Sequence, residues 1–95
     1  IKGPVYSASK GGIIALTKFL ASYLGKHSIR VNCLCPGGVE NKQNVDFIKN
    51  YSNRTPLRRM ANSTDYNGAL VYMLTDEATY MTGATLTVDG GWTAI

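Results

Sequence analysis

Two short runs govern what this chain can become. Ile29 to Cys35, within SIRVNCLCPGG, is apolar and β-branched and is stopped by Pro36, Gly37 and Gly38. Leu86 and Val88, within ATLTVDGG, alternate with threonines and are stopped by Gly90 and Gly91. Before and between these runs the apolar period is helical. Helices alternating with short strands specify an α/β sheet, and a strand that is apolar on both faces, like the first, belongs inside a covered parallel sheet. Two strands cannot bury themselves or satisfy their own edges. The 95 residues therefore read as the back part of a larger doubly wound domain, an expectation that the opening on Ile1 rather than methionine also suggests.

From about Pro4 to Gly25 the pattern predicts one long helix, with Ile13, Leu16, Leu20 and Leu24 on one side and Phe19 and Tyr23 flanking them. Pro4 suits its first turn, and Gly25 can close its C-terminus. Residues Val39 to Met60 are polar, with a short helix expected around Val45 to Tyr51. Asn62 or Ser63 can cap a further helix, whose inward side is Ala69, Leu70, Met73 and Leu74. The order is helix, strand, irregular lid, helix, strand, all within one domain portion covering 1–95.

The formal charge of +4 raises the question of nucleic acid, and the placement of the cations answers it. Lys10, Lys18 and Lys26 advance by roughly 80° around a helix at each step, so they form no stripe. Arg58 and Arg59 are adjacent but lack interleaved stacking aromatics. No nucleic acid partner is expected. No apolar run reaches the roughly 18 residues of a membrane span, so no membrane partner is expected either. Cys33 and Cys35 sit on one face of a strand as small hydrophobes, and with His27 as the single histidine a zinc site lacks ligands. No metal and a reduced, cytoplasmic setting are expected. The glycosylation-like triplets at Asn50, Asn53 and Asn62 are then chance matches.

Near the start, YSASK places Tyr6 one helical turn before Lys10, on the same face. In a chain with six tyrosines such a pair proves little alone; an exposed Tyr and Lys is the ordinary reading. Pro36 and Gly37, however, end a parallel strand at its carboxyl edge, where ligands of open α/β sheets bind. Taken together and in order, YSASK, VNCLCPGG and TGATLTVDGGW resemble the C-terminal part of the short-chain dehydrogenases/reductases, over essentially the whole chain.

That resemblance implies the C-terminal portion of a Rossmann-like parallel sheet. It implies hydride transfer between NAD or NADP and an alcohol or carbonyl substrate, with Tyr6 as general acid/base and Lys10 assisting it while holding the nicotinamide ribose. The physical basis is general: a phenol titrates near 10 in water. A cation about 4 Å away, at an effective dielectric of about 20, favours the phenolate by roughly 4 kcal/mol, and a helix N-terminus acts in the same direction. By the same resemblance Pro36 and Gly37 lie against the nicotinamide, and the backbone of Val39 serves its carboxamide. Asn41 stands where the family commonly has threonine; its amide can donate but it carries no hydroxyl.

Residues 40–60, with Leu57 and Met60, match the family's lid over substrate, and PGGVENKQ is similar to members linked to flagellin-sugar or surface-polysaccharide modification. A homodimer or homotetramer is implied, through the first long helix and the last strand. Asn32 reads as a buried polar group satisfied by backbone, Asp89 as the acceptor of a tight turn, and Trp92 as a packing residue. The family's glycine-rich phosphate loop, ribose selector and catalytic serine have no counterpart in these residues, so the chain by itself is expected to be inactive. The alternative is a non-catalytic fragment that oligomerises through its apolar helix.

Overall fold

The computed structural model describes residues 3–94; Ile1, Lys2 and Ile95 of the expected 1–95 portion lie outside them. Its main elements are α1 (Pro4–Leu24), β1 (Cys33–Pro36), α2 (Val45–Arg54), α3 (Asn67–Leu74) and β2 (Thr85–Val88), joined by four short 3-10 turns. β1 and β2 form a two-stranded sheet. Cys33 N–H donates to Ala84 O at 2.9 Å and Gly37 N–H to Val88 O at 3.0 Å. Both partners advance together along the chain, so the pairing is parallel as expected. The chain divides into two compact units: residues through Cys33 with Met73–Leu86, and Leu34–Tyr72 with the residues from Thr87 onward.

In the first unit, α1 begins on Pro4 after an extended Gly3, where the missing proline N–H costs nothing. The buried face of α1 matches the expected one only toward its C-terminal end, where Leu20 and Leu24 are half-buried. Thr17 and Ala21 are buried, whereas Ile13 and Leu16 are more than half exposed. Small side chains decide this. A Cβ built on Gly83 would stand 3.4 Å from the Ala21 methyl, an approach that a leucine at 21 would prevent. Thr17 satisfies its own hydroxyl by donating to Ile13 O at 2.7 Å. Gly25 does not close the helix in the left-handed region either; it stays right-handed and leads into a 3-10 turn, and the chain reverses at Ser28, φ 60°.

Arg30 reaches across the same unit, donating to Met73 O at 2.8 Å and Met81 O at 3.1 Å. It thereby satisfies a terminal carbonyl of α3, which that helix cannot bond internally. Of the expected inward side of α3 only Met73 is buried and Ala69 half-buried; Leu70 and Leu74 are exposed. Asn32 is satisfied by backbone as expected, donating to Met81 O and accepting from Ala84 N–H. Cover along β1 falls from buried Cys33 to exposed Pro36. The two-sided burial expected of that strand is thus incomplete, since a two-stranded sheet leaves edges open.

In the second unit, α2 is longer than expected. Asn44 caps it by accepting from Phe47 N–H at 2.8 Å, with Asp46 in its first turn and Arg54 in its last, each the favourable sign for its helix end. Thr55, 1% exposed, stops the helix and donates to Tyr51 O at 2.8 Å. Val39 and Ala61 make an isolated parallel bridge. Beside it Met60 and Tyr66 are buried, so Met60 is a core residue rather than part of an open lid.

Candidate functional site

Tyr6 and Lys10 occupy the first two turns of α1, where the i to i+4 spacing puts them on one face. Lys10 Nζ lies 5.5 Å from the centroid of the Tyr6 ring, within the range of a cation–π contact. Tyr6 is 43% exposed and Lys10 is exposed. The pair predicted from the sequence is therefore brought together, with both side chains exposed.

Pro36, Gly37, Val39 and Asn41 belong to the second unit. Gly37 is needed for close approach: a Cβ there would fall 2.8 Å from Asp89 Cα and Cβ. Asn41 N–H donates to Gln43 Oε1 at 2.7 Å, and Gln43 Nε2 donates to Val39 O at 3.0 Å. One side-chain carboxamide is thus held across a backbone acceptor and a backbone donor, a tight reversal that Lys42 allows by adopting φ 60°.

The same unit contains a cavity of about 230 Å³, lined among others by Gly37, Gly38, Tyr51, Leu57, Tyr66 and Asp89. Its charged groups are engaged within the fold. Arg59 forms a two-pronged contact with Asp65, Nη1–Oδ2 2.7 Å and Nη2–Oδ1 3.0 Å. That bond, with a further one from Asn62 N–H, holds the Asp65 carboxyl at about 2. Asp89 accepts from the Thr93 hydroxyl at 2.7 Å, Thr93 N–H and Gly91 N–H, and these bonds, the hydroxyl first, keep its carboxyl below the usual range. It is the turn acceptor expected from the sequence. Burial raises the Tyr66 phenol above its ordinary value. Among the described residues no group of three or more His, Cys, Asp or Glu could hold a metal ion, and no helix is long and apolar enough to cross a membrane.

Sequence reasoning missed Tyr51. Its hydroxyl accepts from Gly38 N–H at 2.7 Å, and its ring stacks on Trp92 with centroids 4.2 Å apart. The i, i+4 pairing with Phe47 was visible as a helical pattern, but nothing local linked the phenol to Gly38. Gln43 was missed for a similar reason, since the partners of its amide follow from the fold of the loop.

The profile of a protein family described as Enoyl-(Acyl carrier protein) reductase matches residues 2–93. Among curated proteins, (+)-borneol dehydrogenase 1 of Salvia officinalis is 38% identical, over 100% of this chain and 40% of its own length. Post-translational flagellin modification protein A of Campylobacter coli is 40% identical, over 92% of this chain and 34% of its own length. The chain thus spans two-fifths or less of these relatives. A solved short-chain dehydrogenase from Leptospira borgpetersenii with bound NAD+ superposes with a TM-score of 0.91 at 46% identity, covering 95% of this chain and 35% of that one. The parallel strand pair and its helices are accordingly a portion of a Rossmann-like sheet. With YSASK, the PGG turn and the final strand all inside the matched residues, the chain belongs to the short-chain dehydrogenase/reductase family.

Proposed function

We propose that the protein carrying this chain is an NAD(P)-dependent oxidoreductase acting on an alcohol or carbonyl compound, with Tyr6 as its general acid/base. The dinucleotide, when bound, supplies or takes up hydride at the substrate carbon. Tyr6 Oη gives or receives the proton at the substrate oxygen. Lys10 stabilises the charge that develops on the phenol and holds the ribose, as a neighbouring cation can. Pro36 and Gly37 shape the turn against the nicotinamide. The Val39 backbone receives the carboxamide, and the Asn41 side-chain amide is available to donate beside it. We also read the protein as cytoplasmic, with its cysteines reduced.

The observation that carries this reading is the Tyr6 and Lys10 pair, 5.5 Å from ammonium to ring, on an exposed face in a chain of this family. Its test is Tyr6→Phe in the full-length protein. NADH or NADPH consumption would be followed against a panel of ketones and aldehydes, and dinucleotide binding measured separately. Binding should persist while turnover is lost; a Tyr6→Phe protein that still turns over removes Tyr6 from the mechanism.

A second reading rests on α1. Ile13, Leu16, Phe19 and Tyr23 are all more than half exposed, and Phe19 stacks on Tyr23 at 5.8 Å. Such a row favours association, so we also propose a homodimer or homotetramer using α1, to be read by sedimentation.

A further inference from the structure

Gly38 follows the last ladder bond of β1, and its N–H needs a partner that no strand supplies. That partner is the phenol of Tyr51, 13 residues on in α2, at 2.7 Å. The approach is so close that a Cβ on Gly38 would lie 2.5 Å from Tyr51 Cζ and 2.7 Å from Oη. Gly38 O is also engaged, accepting from Ala61 N–H at 2.8 Å. The phenol itself is held from behind, stacked within 11° of parallel on Trp92, over which Arg54 of the same helix lies at 5.3 Å. All these residues belong to the second unit.

From this geometry we infer that Tyr51 is a positioning residue that ties α2 to the turn at Pro36–Val39, so that docking of α2 and the grip on the dinucleotide reinforce one another. The inference rests on the proposed function, which places that turn against the cofactor. With α2 docked, Oη fixes the Gly37–Gly38 peptide, while Ala61 N–H holds the next one, which leads into Val39. With α2 displaced, Gly38 N–H turns to water and the turn keeps only the contacts to its carbonyls, from Ala61 N–H, Tyr66 Oη and Gln43 Nε2. Coupling of this kind is reciprocal: what steadies α2 tightens the turn, and a ligand on the turn steadies α2.

Tyr51→Phe in the full-length protein is the test, because it keeps the ring on Trp92 and removes only the hydroxyl. Loss of one hydrogen bond predicts NADH binding weakened about 3- to 10-fold, with KM for the dinucleotide raised and kcat little changed. Amide exchange at Gly38 should become faster in the variant, and bound NADH should slow it less than in the wild type. A purely structural tyrosine would lower the melting temperature and leave NADH affinity, and the degree to which bound NADH slows Gly38 exchange, as in the wild type, which would overturn the inference while sparing the proposed function. Wild-type protein that binds no dinucleotide would overturn both.

Discussion

α1 and α2 each carry a tyrosine assigned to the proposed site, and the two are held in opposite ways. Tyr6 is exposed, with an ammonium over its ring. Tyr51 is half-buried, stacked on an indole and bonded to a backbone N–H. A phenol open to solvent beside a cation can exchange a proton with a bound molecule. One that accepts a backbone hydrogen bond inside an aromatic stack is fixed in place and fixes its partner. On the proposed roles the same residue type serves chemistry in one helix and geometry in the other, and its neighbours decide which.

The sharpest way to break this contrast is to remove both hydroxyls in turn. Tyr6→Phe should cost about 10²- to 10⁴-fold in turnover, the usual span for a lost acid/base group, and leave dinucleotide affinity close to that of the wild type. Tyr51→Phe should do the reverse on a smaller scale. If the two variants show the same pattern, the assignment of separate roles is wrong. Lys10→Met sharpens the first half. Because the ammonium is assigned both to the phenol and to the ribose, its loss should lower turnover and dinucleotide affinity together, which steady-state kinetics and direct titration can separate.

Gly38→Ala probes the second half from the other side. The new methyl would enter the Tyr51 ring, and Trp92 behind that ring leaves little room to retreat. A destabilisation of about 1–3 kcal/mol in denaturant unfolding is expected for overpacking of this kind. Combined with Tyr51→Ala, which vacates the space, the cost should shrink well below the sum of the two changes. Additive costs would mean that Gly38 is required for some reason other than the phenol.

The unequal legibility of the two regions has a physical basis. The PGG turn, the spacing of Tyr6 and Lys10, and the second strand are local patterns that lie where the sequence places them, whereas β1 is shorter and later than the expected Ile29 to Cys35, running Cys33–Pro36. The inner face of α1 is legible only in part, because Leu20 and Leu24 are half-buried as expected, whereas the fully buried residues are Thr17 and Ala21 and Gly83 meets Ala21. Close packing selected small residues, and hydrophobicity alone carries no sign of that. Arg30 and Tyr51 were missed because their partners lie 43 and 13 residues away and depend on how the chain turns between them. Asp89 was read correctly because its partners, Gly91 and Thr93, are within four residues.

The smallest expected effect concerns Arg59 and Asp65, beside the cavity of the second unit. Their contact is short but lies near solvent, with the side chains 53% and 29% exposed, so it contributes little near neutrality and less at high salt. Its signature is instead in acid. The Asp65 carboxyl titrates at about 2 in the folded chain, below the value near 3.9 of an unperturbed aspartate. Its contribution is therefore present above about pH 4 and is lost as pH falls toward about 2, since the unfolded state takes up the proton first on the way down. Asp65→Asn should flatten the stability profile in that window, and the same modest amount should be missing at pH 7. Asp89 also titrates low in the fold, so part of the acid slope must survive the substitution. An unchanged slope in Asp65→Asn would mean that the two-pronged contact with Arg59 does not persist in solution.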